Sequence, residues 1–182
     1  TPHLSDIDDD GDFDAFIGDF DGNIHYYENV GSATDPVFEQ RNGIDNPLDI
    51  VSIEREAVPE LADVDNDGDL DLLVGGYDYY SDDEFFGILK YYENIGDQEN
   101  PTFVERVEDE DPFNHLNIGR PAIPNLVDID DDADLDLFVG IAGGTQSRIF
   151  YFENKPVCQP SFIDGLVDCN SINPLDTVDI GY

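Results

Sequence analysis

Apolar residues in this chain occur in short runs separated by Gly, Pro, Asn and Asp, without a helical period. One run is Phe16-Ile17-Gly18, and aromatic runs such as Tyr26-Tyr27 follow after turns of variable length. Short runs of this kind, bounded by turn-forming residues, are typical of β-strands. The pattern predicts an all-β protein in which about four strands make up each of several repeated units.

The strand pattern repeats three times. Each unit has a Pro-x-Leu-x-Asp segment, an Asp-rich loop, an apolar stretch ending in Gly, an aromatic strand, a Pro-x-Phe step and a connector. The apolar stretches end at Gly18, Gly75 and Gly140, and the aromatic strands cover residues 26–29, 91–94 and 151–154. The predicted units are residues 1–58, 59–123 and 124–182, within one structural domain.

The two ends of the chain have the sequences of two halves of one unit. The chain opens on Thr1-Pro2-His3, which is read as the start of a mature or excised product and as part of a first strand. Residues 173–182 begin with Asn-Pro-Leu, like the connector at Asn46-Pro47-Leu48. The prediction is a pattern cut within a repeat, whose last segment is a connector to a next copy.

The Asp-rich loop has aspartate at its first, third, fifth, seventh and ninth positions. The aspartates are Asp6, Asp8, Asp10, Asp12 and Asp14, then Asp63, Asp65, Asp67, Asp69 and Asp71, then Asp128, Asp130, Asp132, Asp134 and Asp136. Oxygen ligands on alternate residues of a tight loop suit a hard cation such as Ca²⁺. Without a cation, carboxylates crowded in this way would repel each other. The sequence therefore predicts three Ca²⁺ sites.

The sixth loop position distinguishes the third unit from the others. It is Gly11 and Gly68 in the first two loops, but Ala133 in the third. A sharp turn at this position favours a positive φ, which Ala adopts at a cost of about 1 kcal/mol. The third site is therefore expected to be weaker or slightly reshaped.

The loop, the Leu-Leu-Val-Gly stretch at residues 72–75 and the Tyr-Tyr-Glu-Asn-x-Gly segment together resemble the FG-GAP/VCBS repeat family, from about Pro2 to Phe162. The resemblance implies calcium-binding blades of integrin-like β-propellers, and hence three four-stranded propeller-type blades. It implies Ca²⁺ ligation by side chains at loop positions one, three, five and nine, and by the backbone carbonyl at position seven. An EF-hand is excluded because it needs Glu at position twelve, where this chain has Ile17, Val74 and Val139.

Charge and cysteine content limit the partners and the compartment. With 44 acidic and 7 basic residues, the formal charge of −37 argues against nucleic acid and anionic membrane as partners. No apolar run is long enough to span a bilayer, so membrane insertion is not expected. Cys158 and Cys169 are predicted to form a disulfide, the alternative being two reduced thiols. A disulfide and calcium sites together favour an extracellular or cell-surface location.

Catalysis is not expected, because the chain has no nucleophile elbow, phosphate loop or His-rich metal motif. Two other functions remain open. The first is a structural module that joins other copies of itself or adjoining repeats. A head-to-tail filament or longer array is favoured over a closed six-blade ring of two chains. The alternative is an adhesion or lectin module that binds a glycan or protein ligand. The cut repeat favours the first. The long turn at residues 77–86 is predicted to be an exposed insertion, either solvated or a binding site.

Overall fold

The computed structural model describes residues 1–80, 84–114, 116, 118, 122–141, 148–154 and 175–179. Twelve β-strands and two short 3-10 helices lie in this part of the chain, and none of its helices is long and apolar enough to cross a membrane. The strands are β1 (Pro2–Ser5), β2 (Asp14–Gly18), β3 (Ile24–Asn29), β4 (Phe38–Arg41), β5 (Arg55–Ala62), β6 (Asp71–Tyr80), β7 (Glu84–Asn94), β8 (Phe103–Arg106), β9 (Ala122–Val127), β10 (Asp136–Ile141), β11 (Arg148–Asn154) and β12 (Leu175–Asp179). The 3-10 helices are Gly43–Asp45 and Glu108–Glu110.

The strands form three antiparallel sheets of four strands each. Sheet 1 has the order β1-β2-β3-β4, sheet 2 has β5-β6-β7-β8, and sheet 3 has β9-β10-β11-β12. Consecutive strands are neighbours in every sheet, and the Asp-rich loop joins the first strand to the second. The predicted all-β class and the threefold repeat are confirmed.

The last strand corrects the interpretation of residues 173–182 as a connector to a next copy. β12 pairs with β11, with Leu175 opposite Asn154. Phe38 opposite Asn29 occupies the same place in sheet 1, as does Phe103 in sheet 2. Residues 175–179 are therefore the fourth strand of sheet 3, and that sheet is complete within the chain.

The physical reason for this difference lies just after Asn154. In sheet 1, Asn29 Oδ1 accepts hydrogen bonds from the Gly31 and Val37 N–H groups, which fixes the short turn between β3 and β4. The residue equivalent to Gly31 in the third unit is Pro156, which has no N–H to donate. Pro156 therefore cannot donate the hydrogen bond that Gly31 donates in sheet 1, and the next described strand begins at Leu175. Cys158, Cys169 and the Pro-x-Phe step at 160–162 lie outside the described residues, so the disulfide stays a prediction.

The core lies between neighbouring sheets. The cluster between sheets 1 and 2 contains Ile7, Phe16, Ile24, Tyr26, Leu61, Leu72, Val74, Tyr92 and Phe103, together with Leu48, Val51, Ile53 and Ala57 from the connecting segment and β5. The cluster between sheets 2 and 3 contains Leu73, Tyr91, Leu126, Leu137, Val139 and Phe152, together with Phe113, Ile118 and Ala122. Each connector thus fills the space between the two sheets that it joins. The aromatic strands contribute to both clusters.

Gly18 and Gly75 mark the closest approach of neighbouring sheets. A Cβ atom at Gly18 would lie 1.9 Å from the Ala57 carbonyl oxygen, and one at Gly75 would lie 2.1 Å from that of Ala122. The Ala57 N–H also donates a hydrogen bond of 3.0 Å to the carbonyl of Asp19. The second strands of sheets 1 and 2 therefore require glycine at this position, because the first strand of the next sheet passes over it.

The predicted insertion at residues 77–86 extends the β6–β7 hairpin. Tyr77 pairs with Gly87 and Tyr80 pairs with Glu84, so most of the segment continues the two strands. Residues 81–83 lie outside the described part of the chain.

Candidate metal centres

Each Asp-rich loop gathers its first, third and fifth aspartates into one cluster. In every cluster, one carboxylate oxygen from each aspartate lies within 4.8 Å of the others. The clusters are Asp6-Asp8-Asp10, Asp63-Asp65-Asp67 and Asp128-Asp130-Asp132. Ca²⁺–oxygen distances are about 2.3–2.6 Å, so oxygens on one ion lie within about 5 Å of each other. The spacing suits three ligands of a single cation.

Hydrogen bonds from the loop backbone to the first aspartate shape each cluster. In the first loop, Asp6 Oδ1 accepts from the Asp10 N–H at 3.1 Å, and Asp6 Oδ2 accepts from the Gly11 N–H at 3.0 Å. The fourth position adopts a left-handed conformation, with φ of 54° at Asp9 and 62° at Asn66. Asp and Asn tolerate this conformation better than most residues do. The sequence thus supplies both the acceptor and the turn residue that the loop needs.

The sixth position has the predicted positive φ in all three loops. The values are 93° at Gly11, 101° at Gly68 and 73° at Ala133. A Cβ atom at either glycine would meet nothing within 4 Å. The cost of alanine at this position is therefore backbone strain, and the expected weakness of the third site stays a prediction.

The aspartate at the seventh position of each loop has a buried carboxylate oxygen that lacks a hydrogen-bond partner in the described structure. These atoms are Oδ1 of Asp12, Asp69 and Asp134. The pKa values of Asp12 and Asp69 are raised mainly by burial and, to a smaller extent, by repulsion from the aspartate at the fifth position. A buried, unpaired carboxylate oxygen is unfavourable. A cation beside it would supply the missing interaction, so the donor set fits a hard divalent ion.

The aspartate at the ninth loop position connects the loop to the third strand of its sheet through hydrogen bonds. Asp14 Oδ1 accepts from the Asn29 N–H at 2.7 Å, and its Oδ2 accepts from the Tyr26 hydroxyl at 3.1 Å. Burial raises the pKa of Asp14 and Asp71 to about 6. The equivalent contacts join Asp71 to Asn94 and Tyr91, and Asp136 to Asn154 and Tyr151.

Sequence reasoning missed the Tyr and Asn partners of the aspartate at the ninth loop position. The signal was the recurrence of a Tyr-x-x-Asn segment after every loop. The structure brings positions one, three and five together. Ligation by the ninth side chain and by the seventh backbone carbonyl stays a prediction.

Comparison with known proteins agrees with this geometry. Residues 6–74 match the sequence model of the FG-GAP-like repeat. The chain contains an FG-GAP-like repeat. No curated protein and no solved structure matches it. Repeats of this family are typical of extracellular or surface proteins and generally form structural or adhesion domains.

The third loop lies outside the residues that match the FG-GAP-like repeat, yet it has the same contacts. Asp128 Oδ1 accepts from the Asp132 N–H at 3.2 Å, and Asp128 Oδ2 accepts from the Ala133 N–H at 3.1 Å. Burial, followed by a hydrogen bond with Asp132, raises the pKa of Asp134 to about 6. The same site geometry therefore extends through all three sheets.

Proposed function

We propose that this protein is an extracellular, calcium-stabilised repeat module whose role is structural assembly. Its three sheets act as propeller-type blades, and copies of the chain join into a head-to-tail array. The observation that carries the proposal is the unequal covering of the sheets. Among the residues that the structure describes, sheet 2 is packed on both faces, whereas sheets 1 and 3 are each packed on one face. Open apolar sheet faces favour association with further sheets.

Calcium has a defined task in this proposal. Residues at positions one, three and five would hold the ion, and the buried oxygen at position seven lies beside them in the loop. Bound Ca²⁺ supplies positive charge that offsets repulsion among the loop carboxylates. It thereby stabilises the connection between the first and second strands of every sheet. The ion is thus expected to support the fold and, through the fold, assembly.

Two measurements test the proposal. Thermal unfolding in Ca²⁺ and in chelator should show a large loss of stability on chelation, about 2.7 kcal/mol for each site at a free Ca²⁺ concentration of 100 times Kd. Light scattering over a range of protein concentrations should show masses above that of one chain in Ca²⁺. Equal stability in both buffers contradicts the calcium role, and a chain that stays monomeric contradicts assembly.

A pair of variants localises the metal. Asp67→Ala removes a member of the second cluster, and calorimetric titration should then show two sites instead of three. Asn66→Gly is the matched control, because Asn66 lies outside the cluster and glycine accepts its φ of 62°. Equal binding by both variants would exclude this loop as a site.

Recognition of a glycan or protein ligand is the second candidate. It is supported by the β6–β7 hairpin, whose strands have ten and eleven residues, against five and six in the equivalent strands of sheet 1. A projecting hairpin offers an accessible surface. A glycan array read with and without chelator tests it, and binding that disappears when residues 79–85 are shortened would favour this function.

A further inference from the structure

Each sheet has two faces that differ in their partners. The leading face is the one that packs on the preceding sheet, and the trailing face is the one that packs on the following sheet. In sheet 2 the leading face consists of Leu61, Leu72, Val74, Tyr92 and Phe103, which are all buried. The equivalent leading face of sheet 1 consists of Leu4, Ala15, Ile17, Tyr27 and Phe38, none of which is buried.

The leading face of sheet 1 is apolar and open. Leu4 is 57% exposed, whereas Leu61 at the same position of sheet 2 is 5% exposed. Leu4, Phe13 and Phe38 line a groove of about 320 Å³. Phe103, the counterpart of Phe38, is covered by the sheet 1 side of the first core cluster. Sheet 1 therefore presents the surface that sheet 2 buries against its neighbour.

The described residues on the trailing face of sheet 3 are exposed in the complementary way. Ile129 is 56% exposed, whereas Ile7 at the same position of sheet 1 is 4% exposed. Ile149 is also exposed, whereas its counterpart Ile24 is buried. An aromatic pair accompanies these isoleucines in both sheets. The rings of Phe16 and Tyr26 lie 5.2 Å apart in sheet 1, and those of Phe138 and Tyr151 lie 4.8 Å apart in sheet 3.

A polar contact repeats at both internal interfaces. His3 Nε2 accepts a hydrogen bond of 3.3 Å from the Leu61 N–H in sheet 2. Glu60 Oε1 accepts one of 3.0 Å from the Leu126 N–H in sheet 3. His3 and Glu60 are the middle residues of the Pro-x-Leu segments, and Asn125 is the third residue of this kind. Its amide oxygen can accept the N–H of a further Leu in the same geometry.

Gly140 gives a steric argument for the same docking. Gly18 and Gly75 leave room for the next sheet, since a Cβ atom there would lie 3.0 Å and 2.7 Å from Cδ of Pro59 and Pro124. At Gly140, the equivalent position of sheet 3, the nearest described atom to an added Cβ is the Cβ of Ile123 at 3.8 Å, which is ordinary contact. The described structure therefore leaves at Gly140 the space that the other two glycines reserve for a neighbouring proline.

We propose that the trailing face of sheet 3 binds the leading face of sheet 1 in a second copy of this chain, reproducing the two internal interfaces. Asn125 accepts the Leu4 N–H of the second copy, and Pro2 of that copy lies over Gly140. The two surfaces differ, so the junction is heterologous and has a direction. The inference rests on the proposed assembly function and adds to it the surfaces and the polarity.

Complementary blocked variants test the junction. Leu4→Asp closes the leading face of sheet 1. Gly140→Val closes the trailing face of sheet 3, and its Cβ atom is tolerated within the chain. Ile44→Asp is the control for added charge, because Ile44 is fully exposed in a 3-10 helix and belongs to neither face. Masses are measured by light scattering and sedimentation in Ca²⁺ at about 0.15 M salt, where charge repulsion is screened beyond about 8 Å.

The wild type and Ile44→Asp should assemble, while each blocked variant alone should lose at least tenfold in association constant and remain monomeric. Mixed in equal amounts, the two blocked variants should form a dimer and nothing larger, because only one compatible junction remains. Recovery of the dimer also shows that both variants are folded. Ile149→Asp is a second trailing-face variant and should behave as Gly140→Val does.

The other outcomes separate this inference from the proposed function. If the wild type and both blocked variants assemble equally, the junction is overturned while assembly stands. If one blocked variant alone still forms dimers, the junction joins like faces and the directed contact is wrong. If the wild type is monomeric at all concentrations in Ca²⁺, both the junction and the assembly function are overturned.

Discussion

Sheets 1 and 2 have the same strand order and the same aspartate loop, but their leucines at equivalent positions have different surroundings. Leu61 is buried by sheet 1 and its connector, whereas Leu4 faces solvent. The difference shows that the apolar face of a sheet becomes buried through contact with the neighbouring sheet and its connector. As in other repeat proteins, much of its stabilisation comes from the contact with its neighbour.

The strongest test of this comparison replaces the leucine at the equivalent position of each sheet with alanine. Leu61→Ala should lower the free energy of unfolding by about 2–5 kcal/mol, because it leaves a cavity between sheets. Leu4→Ala should change it by less than about 0.5 kcal/mol, because the side chain is exposed. Urea unfolding of dilute protein in Ca²⁺ measures both. Similar losses for the two variants would show that Leu4 is covered in solution.

The polar contact between sheets offers a second comparison. Glu60 Oε1 accepts from the Leu126 N–H at 3.0 Å and from Asn125 Nδ2 at 3.1 Å, and its Oε2 lies 3.2 Å from His3 Nδ1. Glu60→Ala leaves the buried Leu126 N–H without its acceptor and removes the contacts with Asn125 and His3, so it should cost about 1–3 kcal/mol.

Asn125→Ala is the matched change at the exposed end of the same series. In the monomer it should cost less than about 0.5 kcal/mol. Chemical unfolding at low protein concentration gives both values. A large cost for Asn125→Ala in dilute protein would mean that its contacts within the chain, and not those to a second copy, dominate.

The tyrosine that donates a hydrogen bond to the aspartate at the ninth loop position should show a smaller difference in stability between sheets 2 and 3. The Tyr91 hydroxyl donates to buried Asp71 at 2.9 Å, and the Tyr151 hydroxyl donates to Asp136 at 3.2 Å beside the open face of sheet 3. Tyr91→Phe should cost about 1–1.5 kcal/mol, and Tyr151→Phe should cost less because water can replace the lost donor. Thermal melting in Ca²⁺ ranks the two, and a reversed order would contradict the assignment of open and covered faces.

The aspartate clusters could be predicted because their chemistry depends on residue type and local spacing. Asp63, Asp65 and Asp67 cluster through a tight turn, and every residue that the turn needs lies within the loop. The bond between Tyr91 and Asp71 could not be derived in that way, because it depends on the pairing of β6 with β7. The covering of one sheet by another was also beyond local pattern, since Leu4 and Leu61 have the same motif around them.

The fourth strand of sheet 3 shows how a local motif can mislead. Asn173-Pro174-Leu175 matches the connectors in sequence, but Leu175 pairs with Asn154 as Phe38 pairs with Asn29. Pairing along a whole strand decides which segment completes a sheet, and three matching residues do not outweigh it. Pro156 gave the available signal, because it removes the N–H that the short turn requires.

The smallest expected effect compares the loops of sheets 2 and 3 at their sixth position. Ala133 has φ of 73°, and Ala133→Gly removes strain of about 1 kcal/mol, partly offset by the greater backbone freedom of unfolded glycine. Gly68→Ala makes the opposite change where the added Cβ atom meets nothing within 4 Å. Calcium titration with a competing chelator should show affinity rising up to about fivefold at the third site and falling by a similar factor at the second. Both variants retain the N–H that binds the first aspartate, so a change in stoichiometry, or a shift of the same sign in both loops, would exclude backbone strain as the cause.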